Sequence, residues 1–321
     1  MSSVRGEDVA RRGPRVLVIA GPTGTGKSET ATRVAVAIGG EIVGCDALQV
    51  YRGLDAATAK PSPVARVLVP HHLVDFVDPR RSYTLADYVR DAEAVVAEVA
   101  TRGRVPIVVG GTGLYLRGLL RGIVSAPPVD PGIRARLRAM TSRHGPARLH
   151  RWLAHLDPES AGRIAPGDAQ RVTRALEIAL HGSATWSERL RREGTWQTGV
   201  ERFETLKVGL DTEPERLDAR LPQRVDAFFD AGLVAEVRGL LAAGVPAQAN
   251  AFRAIGYREV LSAIEDHRDP AGVRDDIVNA TRRYRRRQRT WFRREPGIVW
   301  LDAASGPEAL AGRIVEMWLR S

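Results

Sequence analysis

The chain has 321 residues, 44% of them hydrophobic, which is enough to bury one large core or two modest ones. Its formal net charge of +10 favours a polyanionic partner, and its single cysteine excludes an intrachain disulfide and a site built from several cysteines. No apolar run is long enough for a transmembrane helix, so we expect a soluble cytoplasmic protein that makes no membrane contact.

The N-terminal part of the chain reads as an alternation of strands and helices. Residues 1–14 are polar and charged, lack the apolar segment of a secretion signal, and are expected to be disordered. The patterns that follow predict strands at Arg15–Ala20, Glu41–Gly44, His72–Asp75 and Val105–Val109, and helices at Ser28–Ile38, Leu85–Thr101 and Leu114–Leu120. This rhythm is typical of a parallel sheet covered by helices.

Residues 123–200 lose the strand pattern and are basic, with 12 arginines against 7 acidic residues. Helices are predicted there at Pro131–Arg143, Ala147–Leu156, Pro158–Ile164 and Asp168–His181. Beyond them come a strand at Leu206–Leu210, helices as far as Arg294, and a strand at Ile298–Leu301. We therefore predict one α/β core, made of residues 15–122 and 201–321, that is interrupted by an all-helical insertion of residues 123–200.

A glycine-rich octapeptide lies between the first predicted strand and the first predicted helix. It reads Gly21-Pro22-Thr23-Gly24-Thr25-Gly26-Lys27-Ser28 and fits the pattern G-x-x-x-x-G-K-[ST] of a P-loop. Its backbone N–H groups and the following helix N-terminus suit a phosphate, while Lys27 offers a cation and Ser28 a hydroxyl for Mg²⁺. The motif predicts a P-loop NTPase-like core that binds phosphate or diphosphate, without naming the nucleotide or the bond that breaks.

Two further strand ends carry candidate residues. Asp46 follows the second predicted strand and should face the ligand crevice, where it could hold Mg²⁺ or act as a general base. The other interpretation is an aspartate that makes a turn or caps the next helix. The strand Val105–Val109 ends in small residues and Thr112, without the acidic residue usual in ATPases, and this argues against simple ATP hydrolysis.

The segment Thr281–Arg294 is the strongest basic run, with eight arginines, no acid and interleaved aromatic residues. On a helix Tyr284, Arg287, Gln288 and Trp291 would share one face. The other arginines would fan outward, and Arg285 and Arg289 are expected to be among those that point to solvent. A nucleic-acid phosphate backbone explains such a run better than a solvated basic face does.

Taken together and in order, these segments resemble the tRNA dimethylallyltransferase (isopentenyl-tRNA transferase) family. The resemblance runs from Arg15 to Asp302, and it is to the bacterial type, because no zinc-finger extension follows the basic run. Its motifs fall at Gly21–Ser28, Asp46–Pro61, His71–Asp75, Val109–Tyr115, Asp168–Glu177, Ala254–Glu259 and Arg287–Trp291. One departure is Ala47, where the family usually has a serine that could orient the aspartate or the acceptor base.

The resemblance implies transfer of a dimethylallyl group from dimethylallyl diphosphate to N6 of adenosine 37 in tRNAs that read codons starting with U. The products would be N6-isopentenyladenosine and diphosphate, with Mg²⁺ as cofactor. Asp46 would take the amine proton, Lys27 and Arg253 would stabilise the diphosphate, and Thr112 would lie at the reaction centre. Residues implied to contact tRNA are Asp46, Ala47, Leu48, Gln49, Thr112, Arg134, Gln170, Arg171, Val172, Thr173 and Arg174, to which the basic run adds Arg282, Arg285, Arg286 and Arg289. We expect the protein to act as a monomer.

Three other functions remain open from the residues alone. A small-molecule kinase would share the P-loop but would require ATP and no basic helix. An isopentenyltransferase that acts on free AMP would share Asp46 and the loop but would need no large basic surface. An RNA-binding P-loop protein without catalysis would have no use for Lys27, Ser28 and Asp46 together.

Overall fold

The computed structural model describes residues 13–124, 126–128, 130–182, 184–193 and 200–321. These residues divide into two compact units. The first contains the chain up to Leu120 and from Glu201 onward, and the second contains Arg121–Val200. Residues 1–12 of the predicted disordered N-terminus lie outside the described residues. Residues 13 and 14 were assigned to it wrongly, because they belong to the first strand, where Gly13 N donates to Arg202 O at 2.9 Å.

A six-stranded parallel sheet organises the first unit, in the order β3-β2-β4-β1-β5-β6. The strands are β1 (Gly13–Ala20), β2 (Gly40–Cys45), β3 (His71–His72), β4 (Val105–Gly110), β5 (Phe203–Asp211) and β6 (Ile298–Asp302). The central strands are buried, as expected of valine- and isoleucine-rich segments in a parallel sheet. The predicted P-loop-type α/β class is confirmed.

Strand β3 is shorter than the predicted His72–Asp75. Leu73 and Asp75 have φ angles of 59° and 60°, in the left-handed region, which ends the extended conformation after His72. The register of the other strands sets the position of the site. Gly110 is aligned with Ala20 on one side and with Cys45 on the other, so three loops leave the same edge of the sheet.

Helices cover the sheet and extend the first unit. Those before the second unit are α1 (Lys27–Ile38), α2 (Pro63–Leu68), α3 (Leu85–Thr101) and α4 (Gly113–Arg121). The second unit contains α5 (Pro131–His144), α6 (Pro146–Leu156), α7 (Pro158–Arg163), α8 (Ala169–Leu180) and α9 (Trp186–Glu193). The first unit resumes with α10 (Pro214–Ala219), α11 (Leu221–Asp230), α12 (Leu233–Ala242), α13 (Tyr257–Glu265), α14 (Arg274–Arg293) and α15 (Gly306–Arg320). Helices α2 and α9 were not predicted, because six and eight residues carry little periodic signal.

Separate apolar clusters hold these elements. One joins the sheet to α1 and α15 through residues such as Leu17, Val34 and Ile314. A second packs α11, α12 and α13 and the first half of α14 against the segment that follows β2, including Tyr51 and Leu54. The second unit has its own cluster around Leu149, Leu153 and Leu176. None of the described helices combines the length and the apolarity needed to cross a membrane.

Candidate active site

The P-loop joins β1 to α1 and is shaped by its glycines. Gly24 and Gly26 have φ angles of 90° and 79°, and a Cβ on Gly21 would lie 2.2 Å from the carbonyl oxygen of Leu210. Gly26 is also the N-cap of α1 and supplies no side-chain hydrogen bond. The N–H groups of the first helical turn are therefore left for a ligand, and the helix dipole favours an anion there.

Lys27 is the cation of this loop. Its Nζ donates to the carbonyl oxygen of Pro22 at 2.6 Å. The pKa of Lys27 is lowered to about 8, mainly by burial; the carboxylate of Asp46 acts to raise it, and Arg224 acts to lower it. An anion bound in the loop would favour the charged ammonium, so this site is electrostatically suited to a phosphate group.

Two adjoining cavities meet beside the loop. The first, which we call the loop cavity, has a volume of about 400 Å³ and is lined by the P-loop, the ends of β2 and β4, and Arg224. The second, which we call the aromatic cavity, has a volume of about 470 Å³. Its lining includes Tyr51, Tyr83, Tyr115, Phe228 and Tyr284, and also Asn250, Arg253, Arg258 and Arg287. Aromatic faces with arginines beside them suit an unstacked nucleobase.

Asp46 lies at the border of the two cavities and lines both. Its Oδ1 accepts hydrogen bonds from the backbone N–H of Leu48 at 2.9 Å and of Gln49 at 3.3 Å, which fix the carboxylate in place. Burial raises the pKa of Asp46, while these two bonds and the charge of Lys27 act to lower it. The side chain therefore stabilises a turn and also lines the ligand space. Its role as a base or a Mg²⁺ ligand stays a prediction.

Thr112 contacts the segment that carries Asp46. Its Oγ1 accepts from the backbone N–H of Ala47 at 3.1 Å, and its own N–H donates to the carbonyl oxygen of Cys45 at 3.2 Å. Ala47, Leu48 and Thr112 line the aromatic cavity. Their contact with the acceptor base stays a prediction. Gln49 lines the loop cavity instead, and its Nε2 donates to the carbonyl oxygens of Thr58 and Ala59 at 3.0 Å each.

The second cation beside the loop is Arg224, a residue that was not predicted from the sequence. Arg224 lies on α11, lines both cavities and is close enough to lower the pKa of Lys27. Arg253 was predicted to bind the diphosphate, and of these two cavities it lines only the aromatic one. Its role toward the diphosphate stays a prediction. A signal for Arg224 did exist, because it shares a helical face with the buried residues Leu221, Val225 and Phe228.

The second unit contains six of the predicted tRNA contacts, namely Arg134 and Gln170–Arg174. Gln170 and Arg171 on α8 are exposed, and Thr173 is half-buried. Val172 has no exposed surface and packs in the core of the unit, so its side chain cannot contact RNA as predicted. Consecutive residues of a helix point 100° apart, which is why a run of five neighbours cannot all face one ligand.

Two arginines of the second unit share one buried acid. Arg134 donates to the carboxylate of Glu177 from Nε at 2.5 Å and from Nη2 at 2.9 Å, and Arg174 donates to it at 3.2 Å. Glu177 is 3% exposed. Arg134, Arg174 and Glu177 together therefore carry a net charge of +1, next to the exposed Arg171. The hydrogen bonds to Glu177 hold both guanidinium groups in place.

The arginine-rich helix α14 is turned differently from the prediction. Arg285 is only 4% exposed and forms an ion pair with Asp218, and Arg289 donates to Asp211 at 2.6 Å. The expectation that Arg285 and Arg289 point to solvent is therefore wrong. Both lie on the face of α14 that packs against residues 211–218. Arg289 lies one turn and Arg285 two turns before the buried Phe292.

The remaining predicted arginines of α14 differ in exposure. Arg282 is half-buried and donates to Asp218 at 3.2 Å, whereas Arg286 is exposed. The exposed arginines of the basic run are Arg283, Arg286, Arg287, Arg293 and Arg294. Tyr284 and Gln288 both line the loop cavity, so the face predicted for them is the one directed at the site.

The donor atoms near the loop fit a magnesium ion held mainly by substrate. Among the described residues no group of three or more histidine, cysteine, aspartate or glutamate side chains could hold a metal. The Ser28 hydroxyl and the Asp46 carboxylate do line the same cavity. Mg²⁺ typically takes one or two protein oxygens and completes its shell with phosphate oxygens and water, and these two groups could serve in that way.

Comparison with known proteins gives consistent matches over most of the chain. A family model described as IPP transferase matches residues 49–295, and one described as isopentenyl transferase matches residues 14–67. Proteins named tRNA dimethylallyltransferase from Geobacter sulfurreducens and Acidothermus cellulolyticus are similar in sequence. The first is 43% identical over 90% of this chain and 92% of its own length, and the second is 42% identical over 96% and 95%.

Solved structures agree with the sequence matches. The tRNA isopentenylpyrophosphate transferase of Bacillus halodurans superposes with a TM-score of 0.70 at 31% identity, covering 95% of each chain. A eukaryotic dimethylallyltransferase acting on tRNA superposes with a TM-score of 0.78 at 26% identity, covering 94% of this chain and 77% of its own.

Proposed function

The chain belongs to the IPP transferase family, and from that premise we propose that it is a tRNA dimethylallyltransferase. It transfers the five-carbon group of dimethylallyl diphosphate to N6 of adenosine 37 in the anticodon loop of tRNAs that read codons starting with U. The products are N6-isopentenyladenosine and diphosphate. The observation that supports this best is the position of Asp46 at the border between the cationic loop cavity and the aromatic cavity.

The reaction needs what the two cavities offer. The N6 amine of adenine is a poor nucleophile, because its lone pair is delocalised into the ring. The allylic carbon compensates by tolerating positive charge as its bond to the diphosphate oxygen stretches. The N6–carbon bond forms as that carbon–oxygen bond breaks, and the diphosphate leaves with growing negative charge. Preorganised cations and N–H groups that face the leaving oxygens lower this barrier.

The loop cavity holds the diphosphate in this proposal. The N–H groups at the start of α1 and the side chains of Lys27 and Arg224 bind its oxygens. The Ser28 hydroxyl would help to hold Mg²⁺ in this cavity, and the ion would add to the neutralisation of the diphosphate charge. No phosphoryl group is transferred, so ATP is neither needed nor consumed.

The aromatic cavity holds the adenine. A base in an anticodon loop must leave its stack to reach the donor, and the aromatic side chains around Tyr284 offer a surface on which it can stack. Asp46 faces the amine and takes its proton as the new bond forms. The carboxylate is held by the N–H groups of Leu48 and Gln49, and burial makes it a stronger base than an exposed aspartate.

The experiment that tests this function is mass spectrometry of digested tRNA after incubation with the protein, Mg²⁺ and dimethylallyl diphosphate. An adenosine heavier by one C5H8 unit supports the proposal, and its absence contradicts it. Parallel reactions with free AMP separate the tRNA enzyme from an isopentenyltransferase of free nucleotides. ATP consumption in the absence of the prenyl donor, lost in Lys27→Ala, would favour a kinase or ATPase instead.

A further inference from the structure

Gln288 of α14 connects two of the loops that build the site. Its Oε1 accepts from the backbone N–H of Thr23 in the P-loop at 3.0 Å. Its Nε2 donates to the carbonyl oxygen of Gly111, in the turn after β4, at 2.9 Å. Gln288 is only 6% exposed, so both ends of the amide are engaged inside the protein. A side chain that can both donate and accept is required at this position.

The connection continues to the proposed base. Gly111 precedes Thr112, and the Oγ1 of Thr112 accepts from the N–H of Ala47, next to Asp46. One hydrogen-bonded route therefore runs from the P-loop through Gln288 to the segment that carries the carboxylate. Because the P-loop would hold the donor and Asp46 would face the acceptor, this route connects the two substrate-binding loops beyond the edge of the sheet.

The surroundings leave this route little freedom. A Cβ on Gly111 would lie 2.2 Å from Nε2 of Gln288, and a Cβ on Gly113 would lie 2.2 Å from the indole of Trp291. The turn after β4 thus lies directly against α14, with no side chain between them. Tyr284, one turn before Gln288, lines both cavities from the same helix face.

We propose that Gln288 is a positioning residue, which fixes the spacing between the diphosphate loop and Asp46 by bonding Thr23 and Gly111 at once. The inference rests on the proposed function, since it concerns the alignment of that reaction's two substrates. Gln288 itself does not take part in the bond changes. A shift of about 1 Å between reacting groups can cost about 10²-fold in rate, so a loss of this size in kcat is expected when the route is cut.

The first test is Gln288→Met, which keeps most of the side-chain volume and removes both hydrogen bonds. We expect kcat for tRNA prenylation to fall about 10²-fold. The KM for tRNA should stay within about threefold of wild type, because the base cavity and the RNA-binding surface are untouched. Two controls accompany it: Gln248→Met at an exposed position, and Ile277→Val, which weakens the buried core around the same helix. Both should retain wild-type kcat, and thermal melting compares the stability of all variants.

The second test is Gln288→Glu, whose outcome depends on pH. A protonated carboxyl can accept from Thr23 and donate to Gly111, as the amide does, whereas a carboxylate cannot donate. We compare the kcat of Gln288→Glu with that of wild type at saturating donor. At pH values above the pKa of the introduced carboxyl, this ratio should rise by up to about tenfold for each pH unit that the pH is lowered, because the protonated fraction rises. The same ratio for Gln288→Met should be independent of pH. The pH dependence of Gln288→Glu tests the inference even if Gln288→Met fails to fold.

Distinct outcomes separate the two proposals. The inference is overturned if Gln288→Met keeps kcat within twofold of wild type, if Ile277→Val shows an equal loss, or if the Glu ratio does not change with pH. In each of these cases wild-type protein still prenylates tRNA, so the proposed function stands. A wild-type protein that yields no prenylated adenosine contradicts the proposed function itself.

Discussion

At the scale of single residues, the carboxylate of Asp46 is the group on which the proposed chemistry depends most. Asp46→Asn keeps an oxygen for the N–H groups of Leu48 and Gln49 but removes the base. We expect kcat to fall about 10²- to 10⁴-fold, with little change in tRNA affinity, as measured by single-turnover kinetics and filter binding. Asp266→Asn, at an exposed acid outside both cavities, is the matched control. Near-wild-type turnover of Asp46→Asn would remove Asp46 from the role of base.

The pH dependence of kcat/KM for the donor should be bell-shaped. Asp46 must be deprotonated to accept a proton, so activity rises with pH through its pKa, which burial moves upward from the usual aspartate range. Lys27 must be protonated to bind the diphosphate, so activity falls as pH rises through about 8. In Lys27→Arg the alkaline decline should disappear from the residual activity, because a guanidinium keeps its proton. An unchanged alkaline limb in that variant would show that another group is responsible.

Arg224 and Arg253 should affect different substrates. Arg224 lines the loop cavity, so Arg224→Gln should raise the KM for dimethylallyl diphosphate by about 10- to 100-fold, the usual value of a hydrogen bond to a charged group. Of the two cavities, Arg253 lines only the aromatic one, so Arg253→Gln should mainly raise the KM for tRNA. Steady-state titration of each substrate at saturating levels of the other measures both. The reverse pattern would instead support the diphosphate role that the sequence predicts for Arg253.

These residues show how far the sequence predicts the site. Asp46 could be found because it follows a buried strand, and the ends of parallel strands face a common crevice. Arg224 could not be assigned, because its place beside the loop comes from the packing of α11 in a cluster that joins distant segments. Sequence periodicity marks Arg224 as an arginine on an apolar face, but it does not say which cavity that face borders.

At the scale of elements, α14 combines a correct prediction with a wrong one. A helix rich in arginine was expected and is present, and the face of Tyr284 and Gln288 does border the site. The outward direction of Arg285 and Arg289 was wrong, because their partners Asp218 and Asp211 lie more than 65 residues earlier in the chain. Local charge patterns cannot reveal such partners, so a run of arginines indicates a basic helix without showing which side meets solvent.

The corrected orientation changes which arginines should bind RNA. Replacing Arg283, Arg286 and Arg294, which are exposed on one side of the helix or just beyond its end, by alanine should raise the Kd for tRNA. The slope of log Kd against log salt should flatten by about 0.7–0.9 for each RNA phosphate that the variant no longer neutralises, and kcat at saturating tRNA should hardly change. Arg285→Ala should instead lower Tm, because it leaves Asp218 without its buried partner. Salt titrations and melting curves distinguish the RNA-binding arginines from the structural Arg285. If the triple variant kept the wild-type salt slope, these exposed arginines would not contact RNA phosphates.

At the scale of the whole molecule, the chain contains two units with separate cores. Inorganic diphosphate should bind the P-loop and therefore stabilise the first unit without stabilising the second. Hydrogen exchange measured with and without diphosphate should show new protection in α1 and the strands next to it, whereas α6 and α8 keep their exchange rates. Lys27→Ala is the control, since its loop should no longer bind the anion. Equal protection of both units would show that they unfold as one.

The order of the strands was beyond prediction from the sequence. Alternating strands and helices indicated a parallel sheet, and that much is confirmed. The pairing of β1 with β5, however, joins segments separated by about 180 residues, and no local pattern records it. The pairing places buried side chains such as Ile19 and Val208 side by side, and such non-local packing forms only when the sheet assembles.

The bond from Arg202 N to Leu120 O, 2.8 Å long, brings together the two points at which the chain departs for residues 121–200 and returns. In polymer terms those residues form a loop closed at its base. The entropy of closing such a loop grows only with the logarithm of its length, by about 0.6 kcal/mol for each doubling. A segment anchored in this way can unfold, lengthen or acquire inserted residues at little cost to the stability of the sheet. Length variation among relatives should therefore concentrate between these two residues, and the strands on either side should keep their lengths.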